Sequence, residues 1–159
     1  MGKDEDARLC ADRRRIWQRE VRTEMAEWAN KFEWQIYMTG TFKRESSYRD
    51  AIKTKRAFRR FTDEIKRVYG KKAIEYFMCV ELHKEGSFTH VHALINGLDA
   101  LTYNQIRETW EQRFGRAKVE GYDKEKGAHF YLTKYILKDV HDWDIKIDQK
   151  KAAILNFEQ

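Results

Sequence analysis

The 159 residues are 42% hydrophobic and 36% charged with a net charge of +6, which suits one domain with a sizeable core and argues against two. No apolar run approaches the roughly 20 residues that span a bilayer, and the opening MGKDEDARLC lacks the apolar stretch of a signal or transit peptide. Two cysteines, Cys10 and Cys79, make no disulfide framework, so a reducing, cytoplasmic setting away from membranes is expected.

Residues 6–30 are charged, lack Gly and Pro, and place Trp17, Val21, Met25 and Trp28 at helical spacing. A long amphipathic helix that packs on the domain is expected, with a dimerisation arm as the alternative. Residues 34–42 (WQIYMTGTF) read as a strand. Ser47 and Asp50 resemble a capping box, after which Phe58, Phe61, Ile65 and Val68 form one apolar helical face that Gly70 ends. A second strand covers 74–83, a turn 84–87, and a third strand, FTHVHALIN, covers 88–96. Thr102 and Gln105 form another capping box before Tyr103, Ile106, Trp110 and Phe114, with Gly115 as the stop. Residues 116–120 read as a fourth strand and 129–140 as a helix with Leu132, Ile136 and Val140 as its core stripe. The chain therefore divides into a helical extension packed on the domain (1–31), a domain (32–145) and a polar tail (146–159). The order β-α-β-β-α-β predicts an α+β, ferredoxin-like or RRM-like antiparallel sheet, flanked by an N-terminal helix and a C-terminal tyrosine-bearing helix. Helices are expected on one face of the sheet, leaving the other for function.

Charge is concentrated. Between 49 and 72 there are ten Lys/Arg against three acids, a balance of +7, so the remainder sums to −1. Lys53, Lys55, Arg56, Arg59 and Arg60 are the candidates for contact with a polyanion, most simply nucleic acid, beside the plainer reading of a solvated helix face.

Strand parity brings a second group together. Met78, Val80 and Leu82 are even-numbered whereas Val91, Ala93 and Ile95 are odd, so burying one common face pairs even with odd. Glu81 and His83 then share the opposite face with His90 and His92. One carboxylate and two imidazoles suit Mn²⁺ or Mg²⁺ and do not exclude Zn²⁺, with His83 able to replace or supplement Glu81. On the last helix Tyr131, Lys134, Tyr135 and Lys138 project together. A tyrosine hydroxyl attacks poorly at neutral pH unless a cation polarises its target or stabilises the phenolate, and a metal with a lysine would do both. The alternative is an ordinary amphipathic helix with tyrosines at its edge.

FTHVHALI resembles the His-hydrophobe-His motif of the HUH single-strand endonucleases, and YLTKYILKD resembles their two-tyrosine Y-x-x-K-Y-x-x-K motif. YMTGTF is similar to their first motif, of the F-x-T-x-T-F type. The three stand in the family's order across 34–139. The resemblance implies a rolling-circle replication initiator that nicks and rejoins single-stranded DNA at an origin, through a 5′-phosphotyrosine intermediate and a free 3′-hydroxyl. It implies Glu81, His90 and His92 as metal ligands, Tyr135 as principal nucleophile, Tyr131 as the second, and Lys138 with Lys134 offsetting phosphate charge. No G-x-x-x-x-G-K-[ST] loop is present, so host replication proteins including a helicase are expected partners. A transposase of the same superfamily acting on element ends is one alternative. A non-catalytic RRM-like nucleic-acid-binding module, with Trp34, Tyr37 and Phe88 as stacking residues, is another.

Overall fold

Antiparallel strand pairing organises the computed structural model, which describes residues 2–43, 50–71, 73–82, 89–131 and 140–148. In chain order the elements are α1 (Gly2–Ala29), β1 (Ile36–Gly40), α2 (Ala51–Tyr69), β2 (Glu75–Leu82), β3 (Thr89–Asn96), α3 (Tyr103–Glu111), β4 (Ala117–Gly121), α4 (Gly127–Tyr131) and β5 (Val140–Lys146). One sheet runs β4-β1-β3-β2-β5. Its first four strands are the β-α-β-β-α-β unit that the patterning predicts, and β5 extends the edge beyond β2.

Local chemistry sets the helix ends. Asp50 caps α2 by accepting the Lys53 N–H at 2.8 Å, so the cap is Asp50 itself; Ser47, the predicted cap, lies outside the described residues. Gly70 closes α2 with φ 66°, a left-handed conformation that glycine adopts without a Cβ penalty. α3 carries the predicted reciprocal box between Thr102 and Gln105.

α2 and α3 lie against one sheet face. Phe58, Phe61 and Ile65 meet Tyr76, Met78, Val80, Val91, Ala93 and Ile95, with Trp110 buried among them. Trp110 donates its indole N–H to the Thr41 carbonyl at 3.0 Å. Its ring lies against Gly40, where a Cβ would come within 2.7 Å of ring carbons, so only glycine permits that approach. Val68, expected on the apolar face, is half exposed at the last turn of α2.

The second face is not left open. The end of α1 (Ala26, Ala29), Phe32, Trp34, Ala128 and Tyr131 cover Tyr37, Phe77, Cys79 and Leu94 in a second core. Val21 and Arg22 are the first half-buried positions of α1, and residues 4–20 are exposed, Trp17 among them. Only the end of the helix packs on the domain as predicted.

β5 corrects the expected ending. Val140 is assigned to the last helix by its i+4 spacing from Ile136, yet it opens a strand paired with β2, while residues 132–139, with Leu132 and Ile136, lie outside the described set. The missed signal is the alternation in Asp142-Trp143-Asp144-Ile145: Ile145 pairs with Phe77 on the second face, and the acids face α2. Asp142 meets Lys55 at 2.6 Å and Asp144 meets Arg59 at 3.0 Å, with the Tyr76 hydroxyl donating to Asp144 at 3.0 Å. Charge pairing as well as backbone pairing therefore seats the edge strand.

Burial, then the neighbouring Asp144 carboxylate, push the Tyr76 hydroxyl from its ordinary 10.0 up to about 12. The unfolded chain releases this proton first, so the stabilisation from a neutral phenol is whole below pH 10 and is lost as pH rises toward 12. Tyr76→Phe is expected to flatten that alkaline decline, measured as urea midpoints across this pH range; an unchanged slope would remove Tyr76 as its source.

Candidate active site

The β2–β3 pairing sets the geometry. Val80 stands opposite Val91 and Met78 opposite Ala93, so Glu81 falls opposite His90 and Cys79 opposite His92. Even pairs with odd, as the parity of the apolar positions requires. Glu81, His90 and His92 share the second face, joined there by Tyr37 and Thr39 of β1, since Thr39 stands opposite His92.

His92 is the centre of a hydrogen-bonded chain. Its Nε2 lies 2.5 Å from Glu81 Oε2, a contact diagonal to the pairing register. Its Nδ1 lies 2.8 Å from the Tyr37 hydroxyl. Thr39 Oγ1 donates to the Tyr37 oxygen at 3.3 Å and stands 3.4 Å from Nδ1. Both His92 nitrogens are thus engaged in a ring only 7% exposed, whereas Glu81 and His90 are half-buried toward the rim. Buried polar atoms of this kind are costly to leave without partners, and here each has one.

Glu81 and His92, two of the three predicted ligands, are in contact, and His90 is in register across from Glu81. Among the described residues no three His, Cys, Asp or Glu side chains converge to metal-binding distance. His83 lies outside the described residues. The donors fit a small divalent ion by chemistry, since carboxylate oxygen and imidazole nitrogen are the mixed ligands that such ions take while keeping coordinated water. Cys79 stands opposite His92 and is buried; burial, then the Glu81 charge, push its thiol well above its ordinary value.

The tyrosines divide. Tyr131 ends α4 in the second core, its ring 5.2 Å from that of Tyr37 and its hydroxyl accepting the Asp123 N–H at 2.9 Å. Tyr135, Lys134 and Lys138 lie outside the described residues. Trp34 and Tyr37, the candidates for base stacking, are buried beneath α1 and α4, and neither offers a ring face to a base; Phe88 lies outside the described residues. Of the five basic candidates Lys53, Arg56, Arg59 and Arg60 are exposed, but Arg59 and Lys55 are committed to the β5 acids.

Tyr37 and Thr39 stand beside His92, whereas sequence reasoning placed both in the first-motif strand and Tyr37 among the stacking residues, with no role at the histidines. The signal was available in YMTGTF, where Tyr37 and Thr39 alternate with the buried Met38 and so share a strand face. What the sequence does not show is that β1 borders β3 on the His92 side.

The family model described as replication-associated protein ORF2/G2P matches residues 35–140, from the entry to β1 through the first residue of β5. No curated protein matches. Among solved structures, the hypothetical protein ORF119 from Sulfolobus islandicus rod-shaped virus 1 is similar with a TM-score of 0.49 and 20% identity, covering 79% of this chain and 97% of that one. No helix among the described residues is long and apolar enough to cross a membrane.

Cys10 is exposed and Cys79 buried, both as free thiols. A thiol-specific disulfide reagent is expected to label one equivalent rapidly in native protein and the second only in denaturant; two rapid equivalents would show that the second core opens around Cys79.

Proposed function

The chain belongs to the replication-associated protein ORF2/G2P family, and on that premise we propose that it initiates replication by nicking single-stranded DNA at an origin with a tyrosine. The observation that carries this reading is the contact of Glu81 with His92, on a sheet face that also bears His90, within the matched residues.

Glu81, His90 and His92 would hold Mn²⁺ or Mg²⁺. The ion supplies Lewis-acid polarisation of a phosphate oxygen when bound. Tyr135 is the proposed nucleophile: its phenolic oxygen forms the bond to phosphorus as the bond from phosphorus to the 3′-oxygen breaks. The phenolic proton is released, and the leaving oxygen takes one up to become the 3′-hydroxyl. The 5′-phosphate stays on the tyrosine, and because phenolate leaves more readily than an alkoxide, a later attack by a strand hydroxyl can reseal the DNA. Lys138, and with it Lys134, offset the charge of the attacked phosphate. Tyr131 is the proposed second nucleophile. Its hydroxyl now accepts from the Asp123 backbone, so it acts only after its ring leaves that seat. Unwinding belongs to a host helicase.

Lys53, Arg56 and Arg60 are the α2 cations proposed to track the DNA backbone, since Lys55 and Arg59 already neutralise Asp142 and Asp144. Replacing each of the three with Ala is expected to weaken single-strand binding and to lower the slope of log affinity against log salt by about 0.7. The corresponding changes at Lys55 and Arg59 should leave that slope closer to wild type and loosen β5 instead.

Incubation with a randomised single-stranded library and Mn²⁺ is expected to give cleaved strands and a covalent peptide adduct, identified by mass spectrometry. EDTA is expected to abolish both. Tyr135→Phe is expected to reduce the adduct to background, while Tyr131→Phe retains the first cut. Full activity in EDTA would overturn the metal role, and an adduct mapped to Tyr131 alone would reverse the order of the nucleophiles.

A further inference from the structure

We infer that Tyr37 is the positioning residue for His92, holding its Nδ1 so that Nε2 is presented to Glu81. This rests on the reading of His92 and Glu81 as ligands to a divalent ion.

The geometry is direct. Tyr37 is 3% exposed, and its hydroxyl reaches Nδ1 at 2.8 Å. The two rings are near parallel, 10° apart. Behind the phenol, the Tyr131 ring lies at 5.2 Å, and the Tyr122 ring lies 5.2 Å beyond that of Tyr131. Packing therefore limits where the hydroxyl can point.

The hydroxyl does what a phenyl ring of the same size cannot. Without a cation, the Nε2–H of a neutral His92 donates to Glu81, Nδ1 carries the lone pair, and the Tyr37 O–H donates to it. With a cation on Nε2, the neutral ring carries its one proton on Nδ1, and the Tyr37 oxygen must accept it. Thr39 completes the exchange. It donates to the Tyr37 oxygen in the first arrangement, and its hydroxyl, which can also accept, takes the Tyr37 proton in the second. A phenol beside a threonine serves both tautomers without moving a heavy atom. Partners of this kind orient metal-binding histidines, and their loss costs about 10- to 100-fold in metal affinity.

The test is Mn²⁺ binding by isothermal titration calorimetry, with thermal unfolding as the check on fold. Wild type is expected to bind, His92→Ala to lose binding, and Tyr37→Phe to bind about 10- to 100-fold more weakly. If wild type binds and Tyr37→Phe binds equally well, Tyr37 has no positioning role although the ligand assignment stands. If wild type fails to bind, or His92→Ala binds like wild type, the ligand assignment falls and the inference with it. Nitrogen-15 spectra of metal-free wild type supply a readout that needs neither metal nor variant. They are expected to show His92 as a single tautomer protonated at Nε2, and a mixture of tautomers would overturn the inference. If Tyr37→Phe does not fold, that spectrum and Thr39→Ala decide. Thr39→Ala is expected to weaken Mn²⁺ binding to a lesser degree, and wild-type affinity in that variant would count against the relay.

Discussion

The pairing of β2 with β3 is the constraint on which the site depends. Val80 opposite Val91 puts Glu81 opposite His90 and brings it within hydrogen-bonding distance of His92. A slip of β2 by one residue would turn Glu81 toward Phe58 and Trp110, and Met78 and Val80 toward the tyrosines, while the histidines of β3 kept their face. The first outcome buries a carboxylate in an apolar core, which costs several kcal/mol, and the second takes two apolar side chains out of theirs. Register here is pinned from two sides, because α2 and α3 cover one face while α1 and α4 cover much of the other. A half-exposed sheet would have been pinned from one.

That double cover also explains what could be read in advance. Within β2 and β3 the apolar positions on the α2 side alternate cleanly, and alternation is a local property, so strand existence, pairing parity and the shared face of Glu81, His90 and His92 were all legible. So were the Gly70 end of α2 and the Thr102 start of α3, because caps act over three or four residues, whereas Asp50 is the cap of α2 and α3 ends at Glu111, short of the expected stop at Gly115. The second core was not. Its members come from five separate stretches, from Ala26 to Tyr131, and no local period links them. Tyr37 illustrates the loss: an aromatic residue on a sheet reads as a stacking surface until the neighbour above it is known. For the same reason Trp17 and Trp28 look alike in the sequence, although one is exposed and the other packs against Phe32.

The basic helix shows how counting charge can mislead about its use. α2 presents its cations on several sides, and the side facing β5 is answered by Asp142 and Asp144, residues about 85 positions away. Lys55 is largely covered in its pair, whereas Arg59 remains exposed while bonded to Asp144. Exposed ion pairs contribute little to stability singly, but two in succession, with Tyr76 bonded to the same carboxylate, favour β5 in one register against β2. The chain is therefore less polarised than its sequence balance of +7 over one segment implies, and Lys53, Arg56 and Arg60 mark the side of α2 that stays positive.

Access to the site follows from the same cover. Leu94 and Phe77 lie under α1 and α4, and their end of the sheet face is closed by aromatic packing. Moving along β3 toward Thr89, His92 is almost wholly enclosed, while His90 and Glu81 reach the rim. A phosphate approaching this face would meet Glu81 and His90 before His92, and could reach His92 only on the Nε2 side, since Tyr37 occupies the other nitrogen. The enclosed histidine is thus held by buried protein groups, whereas Glu81 and His90 are only half-buried. On the proposed reading, such a division would let one donor keep its orientation while the others adjust to what enters.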